Sequence, residues 1–379
     1  MDQITARHAM PTSAEEAAAA LRDAGGAVRF RGGATKLGWG RPIEAALELA
    51  TGRLDAVVEH NEGDLTAVLQ AGVPLSRAQE TFAAAGQMLA LDPPDGGATI
   101  GGMVATGDSG PLRHRYGAPR DLVLGVQVAL PDGTVARAGS RVIKNVAGYD
   151  LAKLMSGAFG TLGLLTEVTV RLHPRPAGWC TAVGRSDDPR TLAAAATQLA
   201  HRPLEAEALD LRWEEESGAV LARFGGPSAG DRAETALRAL REAGLQADAT
   251  EDDEQLWAAQ RDGQRGAAVL RVSTTLDRLE ALMIAAHGHG ARVVARAGHG
   301  LAWVVLGDAG LDALAATVAE LRATLAPSPC VLLDAPPALR AATDPWGPVD
   351  AGQVALMRRV KARFDPDGHC NPGLFVGGI

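Results

Sequence analysis

The sequence of 379 residues has little cysteine, no long apolar run and no excess of basic residues. Its cysteines, Cys180, Cys330 and Cys370, lie far apart along the chain. Three scattered thiols cannot hold an iron–sulfur cluster within this chain alone, and they fit a reducing compartment. No segment approaches the ~20 consecutive apolar residues that a membrane-spanning helix needs. We therefore expect no transmembrane segment.

The charge balance and the N-terminal residues exclude two further classes of protein. A formal net charge of −8 argues against a nucleic-acid-binding protein, because such a protein needs a basic face to neutralise phosphates. Residues 1–16 carry acidic side chains and no apolar core, so no signal peptide is predicted. We expect a cytoplasmic protein.

Length and glycine distribution predict the domain organisation. A chain of this length exceeds the size at which one hydrophobic core keeps growing, so two domains are expected. Residues 86–163 contain 15 glycines in 78 positions, whereas residues 177–345 contain 15 in 169. A dense glycine zone indicates either backbone that approaches a ligand closely or a region rich in turns. With a boundary at the prolines Pro174 and Pro176, we predict segments 1–176, 177–345 and 346–379.

Local patterns before this boundary predict both helices and strands. Ser13 and Glu16 have the spacing of a capping box at the start of a helix. Residues 64–70 are predicted to be helical. Residues 122–138 contain a Pro-Asp-Gly turn between two alternating runs, which predicts a β-hairpin.

After Ala177 the pattern changes to strand-like runs that alternate with alanine-rich helices. This order predicts an antiparallel sheet with helices on one face. Two acidic clusters in this part, Glu205–Glu207 and Glu251–Glu254, are predicted to be exposed to solvent.

Three glycine-containing segments form the candidate ligand site, and the first is Arg31-Gly32-Gly33-Ala34-Thr35-Lys36. Small residues after a strand let several backbone N–H groups point into one concavity, a nest for phosphate oxygens. Thr35 adds a hydroxyl and Lys36 a positive charge. The loop is neither a Walker motif nor a GxGxxG dinucleotide motif. Taken alone, it is equally well explained as a tight turn.

The other two segments contain more glycines among individually placed polar residues. The second segment includes Asp92-Pro93-Pro94, Thr99-Ile100-Gly101-Gly102, Ser109-Gly110 and Tyr116-Gly117. The third includes Lys144-Asn145-Val146-Ala147-Gly148-Tyr149-Asp150 and Gly160-Thr161-Leu162-Gly163-Leu164-Leu165-Thr166. Glycines remove side chains where a flat aromatic ligand can lie against the backbone. Many N–H donors with few acidic neighbours suit an anionic ligand that has many oxygens.

In order and spacing, the three segments resemble the vanillyl-alcohol-oxidase-type (PCMH-type) FAD-binding fold. Within that superfamily the chain is most similar to the FAD-binding E subunits of bacterial glycolate oxidase, also called glycolate dehydrogenase. The likeness covers residues 10–176 densely and returns at Asn371-Pro372-Gly373. It implies an α+β fold, with a two-part FAD-binding domain and an α+β cap domain built on an antiparallel sheet.

The resemblance also implies which residues contact the cofactor. The first loop would hold the pyrophosphate of FAD through Gly32, Gly33, Ala34, Thr35 and Lys36. The pyrophosphate and isoalloxazine would be lined by Pro93, Pro94, Thr99, Gly101, Gly102, Ser109, Gly110, Tyr116 and Gly117. The adenine and ribose end would lie near Gly160, Gly163, Leu165 and Thr166. Some relatives attach the flavin to a histidine in the first loop, and because Thr35 stands there, non-covalent FAD is expected.

The resemblance implies three candidate functions, which differ in whether this chain catalyses the oxidation itself. The chain would be the FAD-binding subunit of a complex that oxidises glycolate, a 2-hydroxy acid, to glyoxylate. Its partners would be a homologous FAD-containing catalytic subunit and an iron–sulfur subunit, which could hold it at the inner membrane. The alternatives are a flavin-fold assembly subunit without turnover, and a stand-alone FAD-dependent 2-hydroxy-acid dehydrogenase.

One segment departs from the superfamily pattern. Metal-assisted relatives carry a His-x-Gly-Asp-Gly-Asn-x-His motif in the cap, and the nearest segment here begins at Arg296 and ends at Trp303. An arginine and a tryptophan cannot replace imidazole as metal ligands, so no metal site is predicted. His299 is the only base evident in this segment, and no catalytic residue is assigned.

The arginines that flank His114 in the second segment allow three interpretations. Arg113, Arg115 and Arg120 would offset the FAD pyrophosphate, guide an anionic substrate, or lie on the surface.

Overall fold

The computed structural model describes residues 7–94, 96–139 and 150–379. Strands before the proline boundary are β1 (Arg7–Ala9), β2 (Val28–Arg31), β3 (Leu47–Ala50), β4 (Val57–Asn61), β5 (Thr66–Gln70), β6 (Gln87–Met88), β7 (Val123–Ala129), β8 (Val135–Gly139), β9 (Leu164–Arg171) and β10 (His173–Pro174). Helices in the same part are α1 (Ala14–Arg22), α2 (Leu75–Ala83), α3 (Ile100–Thr106), α4 (Arg113–Tyr116), α5 (Pro119–Leu122) and α6 (Leu151–Met155).

The remaining elements follow the proline boundary. The strands are β11 (Trp179–Ser186), β12 (Ala208–Glu214), β13 (Ser217–Gly225), β14 (Gln246–Thr250), β15 (Ala268–Ser273), β16 (Arg292–Arg296), β17 (Leu301–Leu306) and β18 (Cys330–Leu332). The helices are α7 (Pro189–Ala200), α8 (Ala229–Glu242), α9 (Glu254–Asp262), α10 (Leu279–Gly288), α11 (Leu311–Leu325), α12 (Pro337–Ala342) and α13 (Ala351–Phe364).

The N-terminal part is built on two principal sheets. A parallel three-stranded sheet has the order β1-β3-β2. An antiparallel five-stranded sheet has the order β4-β5-β9-β7-β8, and its central strand β9 is buried along most of its length. Helix α1 packs its alanine and leucine face between the two sheets. The resulting groove between the two sheets faces the glycine segments.

The cap is an antiparallel sheet of eight strands in the order β14-β11-β13-β12-β16-β17-β15-β18. Helices α7, α8, α10 and α11 bury one face of this sheet, as the pattern of alanine-rich helices predicts. Helix α9 packs Trp257 on the opposite face. Farther along that face, Val269 and Trp303 contact Trp39 and Phe159 of the N-terminal part. The cap sheet therefore packs directly against the glycine-rich region.

The last helix leads the chain back to the first sheet. After α13, the backbone N–H of Val28 donates to the His369 carbonyl (2.7 Å), and the Asn371 N–H donates to the Val28 carbonyl (2.9 Å). This short parallel pairing extends the edge of β2. In the described part of the chain, no helix combines the length and apolar character needed to cross a bilayer.

Local predictions before the proline boundary hold with one exception. Ser13 caps α1 by accepting a hydrogen bond from the Glu16 N–H (3.1 Å), and the β7–β8 hairpin forms. The helix predicted for residues 64–70 is wrong, because Thr66–Gln70 is strand β5. Pairing with β4 and β9 on both sides overrides its helical pattern.

The predicted exposure of both acidic clusters is also wrong in part. Asp253 is buried because Arg223 donates to both of its carboxylate oxygens (3.0 and 2.7 Å). Glu207 is buried beside Arg115. Both carboxylates are neutralised by an arginine from another element, which the local sequence pattern does not reveal.

Candidate functional site

A deep cavity lies between the three-stranded sheet, helix α3 and the start of β9. Its volume is about 250 Å³, just below the ~300–1,000 Å³ typical of small-molecule sites, and it is partly open to solvent. The cavity wall includes the loop 31–36, the first turn of α3 and residues 158–165.

The first two glycine segments meet because they lack side chains. A Cβ on Gly33 would collide with the Gly97 carbonyl, and a Cβ on Gly32 would collide with the Thr99 hydroxyl. Ala34 has a φ of 62°, the left-handed conformation that turns the loop. At this point the glycines permit close backbone contact, and a Cβ on Gly102 would lie only 3.1 Å from the Thr99 hydroxyl.

The cavity wall is positively charged. Its cationic side chains are Arg29, Arg31, Lys36, Arg41 and Arg340, and no aspartate or glutamate lines it among the described residues. Carboxylates outside the cavity wall pair with four of these cations: Glu48 with Arg29 (2.5 Å) and Arg31 (3.1 Å), Asp108 with Lys36 (3.1 Å), and Asp344 with Arg41 (2.8 Å). Because three carboxylates face five cations, the wall keeps a net positive charge. This electrostatic environment favours a ligand that brings its own negative charge, as a pyrophosphate does.

Asn371 closes one end of the cavity. Its side-chain oxygen accepts from the Phe30 N–H (3.0 Å), and its amide donates to the Phe159 carbonyl (2.7 Å). The side chain thus ties β2 to the loop before β9, and the Asn371 φ of 43° orients it for this role. In the sequence, Asn371 is indicated only by the family resemblance that returns at residues 371–373.

Eleven of the eighteen predicted FAD contacts line this one cavity. They are Gly32, Gly33, Ala34, Thr35, Lys36, Thr99, Gly101, Gly102, Gly160, Gly163 and Leu165. Sequence reasoning did not single out Phe30, Trp39, Phe159 or Arg340, which also line it. The motif residues 144–149 lie outside the described residues.

The other seven predicted contacts lie outside the cavity wall. Pro93 and Pro94 are buried, and Gly110 packs against the Asp92 carbonyl. Ser109 is buried, and its hydroxyl accepts from Arg113 (3.3 Å). These residues belong to the segment that faces the cap rather than the cavity.

The remaining three of the seven have local partners. Tyr116 contacts His173, with ring centroids 4.6 Å apart, and Gly117 ends α4 with a φ of 86°. The Thr166 hydroxyl in β9 donates to the Gln127 carbonyl (3.2 Å). For all seven, a flavin contact stays a prediction.

Beside the cavity, charged side chains meet between the segment 92–113 and the cap sheet. We name this set the charged interface, and its members are Lys36, Asp92, Asp108, Arg113, Asp210, Arg271 and Arg296. Lys36 lines the cavity and pairs with Asp108 (3.1 Å), and both side chains are buried. The charged interface therefore begins at the cavity wall.

The segment that departs from the metal motif lies in this interface. Arg296 is completely buried, pairs with the equally buried Asp210 (2.5 Å), and stacks 4.8 Å from the Trp303 ring centroid. His299 is exposed and its ring lies 5.6 Å from that of His114. Among the described residues, no three histidine, cysteine or carboxylate side chains are grouped as metal ligands.

Burial gives three groups of this region unusual proton affinities. Burial raises the pKa of Asp92 to about 7, although the nearby charges of Arg296 and Arg261 oppose the shift. Burial likewise raises the pKa of Asp210 to about 6, against the attraction of Arg296. The pKa of His114 falls to about 4 because of burial, and then because of His299 and Arg115. A carboxyl group whose pKa is raised toward neutral pH is better suited to accept a proton than an ordinary carboxylate.

Sequence comparisons agree with this geometry. A family model described as an FAD binding domain matches residues 5–139, and one for the C-terminal domain of FAD linked oxidases matches residues 341–374. The chain is 41% identical over 150 residues to the glycolate oxidase subunit GlcE of Escherichia coli, across 39% of this chain and 42% of that protein. It is 35% identical over 158 residues to the mitochondrial D-lactate dehydrogenase (cytochrome) 1 of Saccharomyces cerevisiae, across 42% of this chain and 27% of that enzyme. The matched region spans less than half the length of either relative.

A solved structure extends the likeness to nearly the whole fold. The VAO-type flavoprotein MtVAO615 of Myceliophthora thermophila superposes with a TM-score of 0.68 at 17% identity, covering 96% of this chain and 78% of that one. The predicted α+β fold of the PCMH type is confirmed, and the chain has an FAD-binding domain. The predicted resemblance to the E subunits of bacterial glycolate oxidases is confirmed as well.

Proposed function

We propose that this chain, with its VAO-type fold, is the FAD-binding subunit of a glycolate oxidase (glycolate dehydrogenase) complex. The complex would oxidise the 2-hydroxy acid glycolate to glyoxylate. The observation that carries the proposal is the convergence of eleven predicted FAD contacts on one positively charged cavity. The seven predicted contacts outside the cavity wall belong to the proposal too, as does the division of the chain at residues 176 and 345.

The residues present fit FAD. When bound, FAD would supply the acceptor for the hydride that leaves the substrate carbon. The loop 31–36 would bind its pyrophosphate through backbone N–H groups, and Lys36 would add a positive charge. Gly160 and Gly163 line the other end of the cavity, where a Cβ on Gly160 would collide with Phe30 and one on Gly163 with Val128.

We propose that the flavin is held without a covalent bond. Among the described residues that line the cavity there is no histidine, cysteine or tyrosine, the nucleophilic side chains suited to a stable bond with the flavin ring. Acid precipitation of the yellow protein should release the flavin to the supernatant. Flavin that stays in the pellet would contradict this assignment.

The proposed partners are a homologous FAD-containing catalytic subunit and an iron–sulfur subunit. The complex would be cytoplasmic, with peripheral attachment to the inner membrane through the partners. Co-purification from the native host, followed by subunit identification and flavin counting, tests this proposal. Recovery of the chain alone, without any flavin even after reconstitution with FAD and partners, would refute both the cofactor and the complex.

The isolated subunit separates the candidate functions. Arg296 is paired with Asp210, and the described part of the chain contains no group of potential metal ligands. We therefore expect glycolate not to bleach the flavin of the isolated, FAD-loaded chain in anaerobic mixing. The assembled complex should be reduced, and should lose activity when the loop 31–36 is disrupted. Unchanged activity after that disruption would favour an assembly subunit without turnover. Bleaching of the isolated chain would favour a stand-alone dehydrogenase, with Asp92, Arg296 and His299 as the first residues to replace.

A further inference from the structure

Two arginines of the charged interface have no counter-charge of their own. Lys36 is neutralised by Asp108, and Arg296 by Asp210. This leaves Arg271, on strand β15 beside the edge strand β18 of the cap sheet, for which the described residues provide neither a hydrogen bond nor an ion pair. Its Nε is fully enclosed and has no partner.

The second unmatched cation is Arg113, at the start of α4. Its side chain donates to the Ser109 hydroxyl (3.3 Å) and forms no ion pair among the described residues. Burial lowers its pKa, Asp121 partly opposes that shift, and Arg296 adds repulsion. Arg113 also repels Arg271, whose own pKa is lowered first by burial. Two like charges are thus held near each other in a poorly solvated place.

Strand geometry directs Arg271 toward the flavin domain. Side chains two residues apart emerge on the same face of a strand, and Val269 packs on the face that contacts Trp39 and Phe159. Arg271 is attracted by Asp108, which pairs with Lys36 at the cavity wall. The two arginines therefore lie beside the FAD cavity, yet neither lines it.

We propose that Arg113 and Arg271 form a binding site for the carboxylate of a small organic acid, between residues 106–117 and the cap sheet. A guanidinium binds a carboxylate through two parallel N–H bonds, and burial strengthens such bonds because water competes less. A bound carboxylate supplies the negative charge that the interface lacks. The identification of the acid as a 2-hydroxy acid rests on the proposed function, whereas the site itself rests on the two unmatched cations.

The melting temperature of the protein without a bound carboxylate distinguishes a ligand-binding role of Arg271 from a structural one. If Arg271 serves a ligand, it destabilises the empty protein, and Arg271→Met should raise the melting temperature of the FAD-loaded chain by about 2–4 °C. If Arg271 instead stabilises the fold through Asp108, the same variant should melt lower, which would overturn the proposal. Flavin content is measured in parallel, and loss of FAD from the variant would also overturn it, since Arg271 would then be a flavin contact.

Carboxylate binding gives the second test. Glycolate and acetate should raise the melting temperature of the FAD-loaded wild type saturably, beyond sodium chloride of equal ionic strength. Titration calorimetry should give about 10- to 100-fold weaker binding for Arg271→Met and for Arg113→Met, with Arg271→Lys in between. Arg190→Met, on the exposed start of α7, is the matched control and should bind as the wild type does.

The outcomes separate this inference from the proposed function. An equal shift with chloride, or equal binding by the wild type and both methionine variants, would refute the carboxylate site. If carboxylates bind as expected but the assembled complex does not oxidise glycolate, the site stands and the proposed function fails. If the complex oxidises glycolate but no carboxylate binds here, the function stands and this inference fails.

Discussion

The cavity and the charged interface lie side by side but differ in where their carboxylates lie. Five cations and no acid line the cavity among its described residues, and the carboxylates that pair with four of these cations, Glu48, Asp108 and Asp344, lie outside its wall. The charged interface instead buries carboxylates face to face with cations, as in the Arg296–Asp210 pair. The first arrangement suits a ligand that brings its own charge. In the charged interface the opposite charges pair with each other, except at Arg113 and Arg271, which we propose as the carboxylate site.

The largest expected effect comes from breaking the self-neutralised pair. Arg296→Met leaves Asp210 buried with the Gln260 amide (2.9 Å) as its one side-chain partner among the described residues. Removal of one partner from a buried pair typically costs about 3–5 kcal/mol, so the free energy of unfolding in urea should fall by that amount. Arg212→Met breaks a largely exposed contact with Glu214 (3.6 Å) and should cost less than about 1 kcal/mol. Equal losses for the two variants would mean that the interface pair is not the buried element described here.

A smaller effect is expected at the cavity, and it concerns ligand affinity. In Gly102→Val the new side chain begins 3.1 Å from the Thr99 hydroxyl, a tight contact to which Thr99 must adjust by a few tenths of an ångström. It projects into the cavity, so FAD should bind about 10- to 100-fold more weakly, corresponding to overpacking of about 1–3 kcal/mol. Fluorescence titration of the apoprotein measures this, with Gly288→Val at the exposed end of α10 as the control. Normal FAD affinity in Gly102→Val would show that this glycine does not face the flavin.

The smallest effect is a pH dependence at Asp92. In the folded protein its pKa is raised to about 7, above the ordinary value of 3.8, so the carboxyl destabilises the fold progressively as pH rises between these values. Asp92→Asn should match the wild type near pH 4 and be more stable at pH 8. Because Asp92 keeps some contact with solvent, we expect about 1.4 kcal/mol, the worth of one pKa unit. Asp312→Asn, at an exposed position of α11, should give no such crossover. A constant offset at all pH values would exclude ionisation of Asp92 as the cause.

Short-range patterns in the sequence predicted most of this architecture. The glycine segments are evident in the sequence because a loop whose backbone touches another backbone needs glycine at the point of contact. Gly33, which packs against the Gly97 carbonyl, is an example. Residues 64–70 were mistaken for a helix because the pattern within the segment contains no information about the strands on either side.

The charged interface could not be predicted from the sequence, for a different reason. Arg296 and Asp210 are 86 positions apart, and Arg223 and Asp253 are 30 apart. Whether a charged residue is exposed or buried depends on the residue that the fold places opposite it. Asn371 joins residues from β2 and the loop before β9, and no local signal specifies such a bridge.

The bridge made by Asn371 has a consequence for the time course of synthesis. Phe30 and Asn371 are separated by 341 positions, and the end of the cavity near β2 is closed only when both are present. At about 5–20 residues per second, the ribosome adds Asn371 roughly 20–70 s after Phe30. During that interval the nascent chain has the loop 31–36 but lacks the residue that closes this end of the cavity. Stable enclosure of a flavin therefore belongs to the last steps of chain maturation, when most of the protein has already been made.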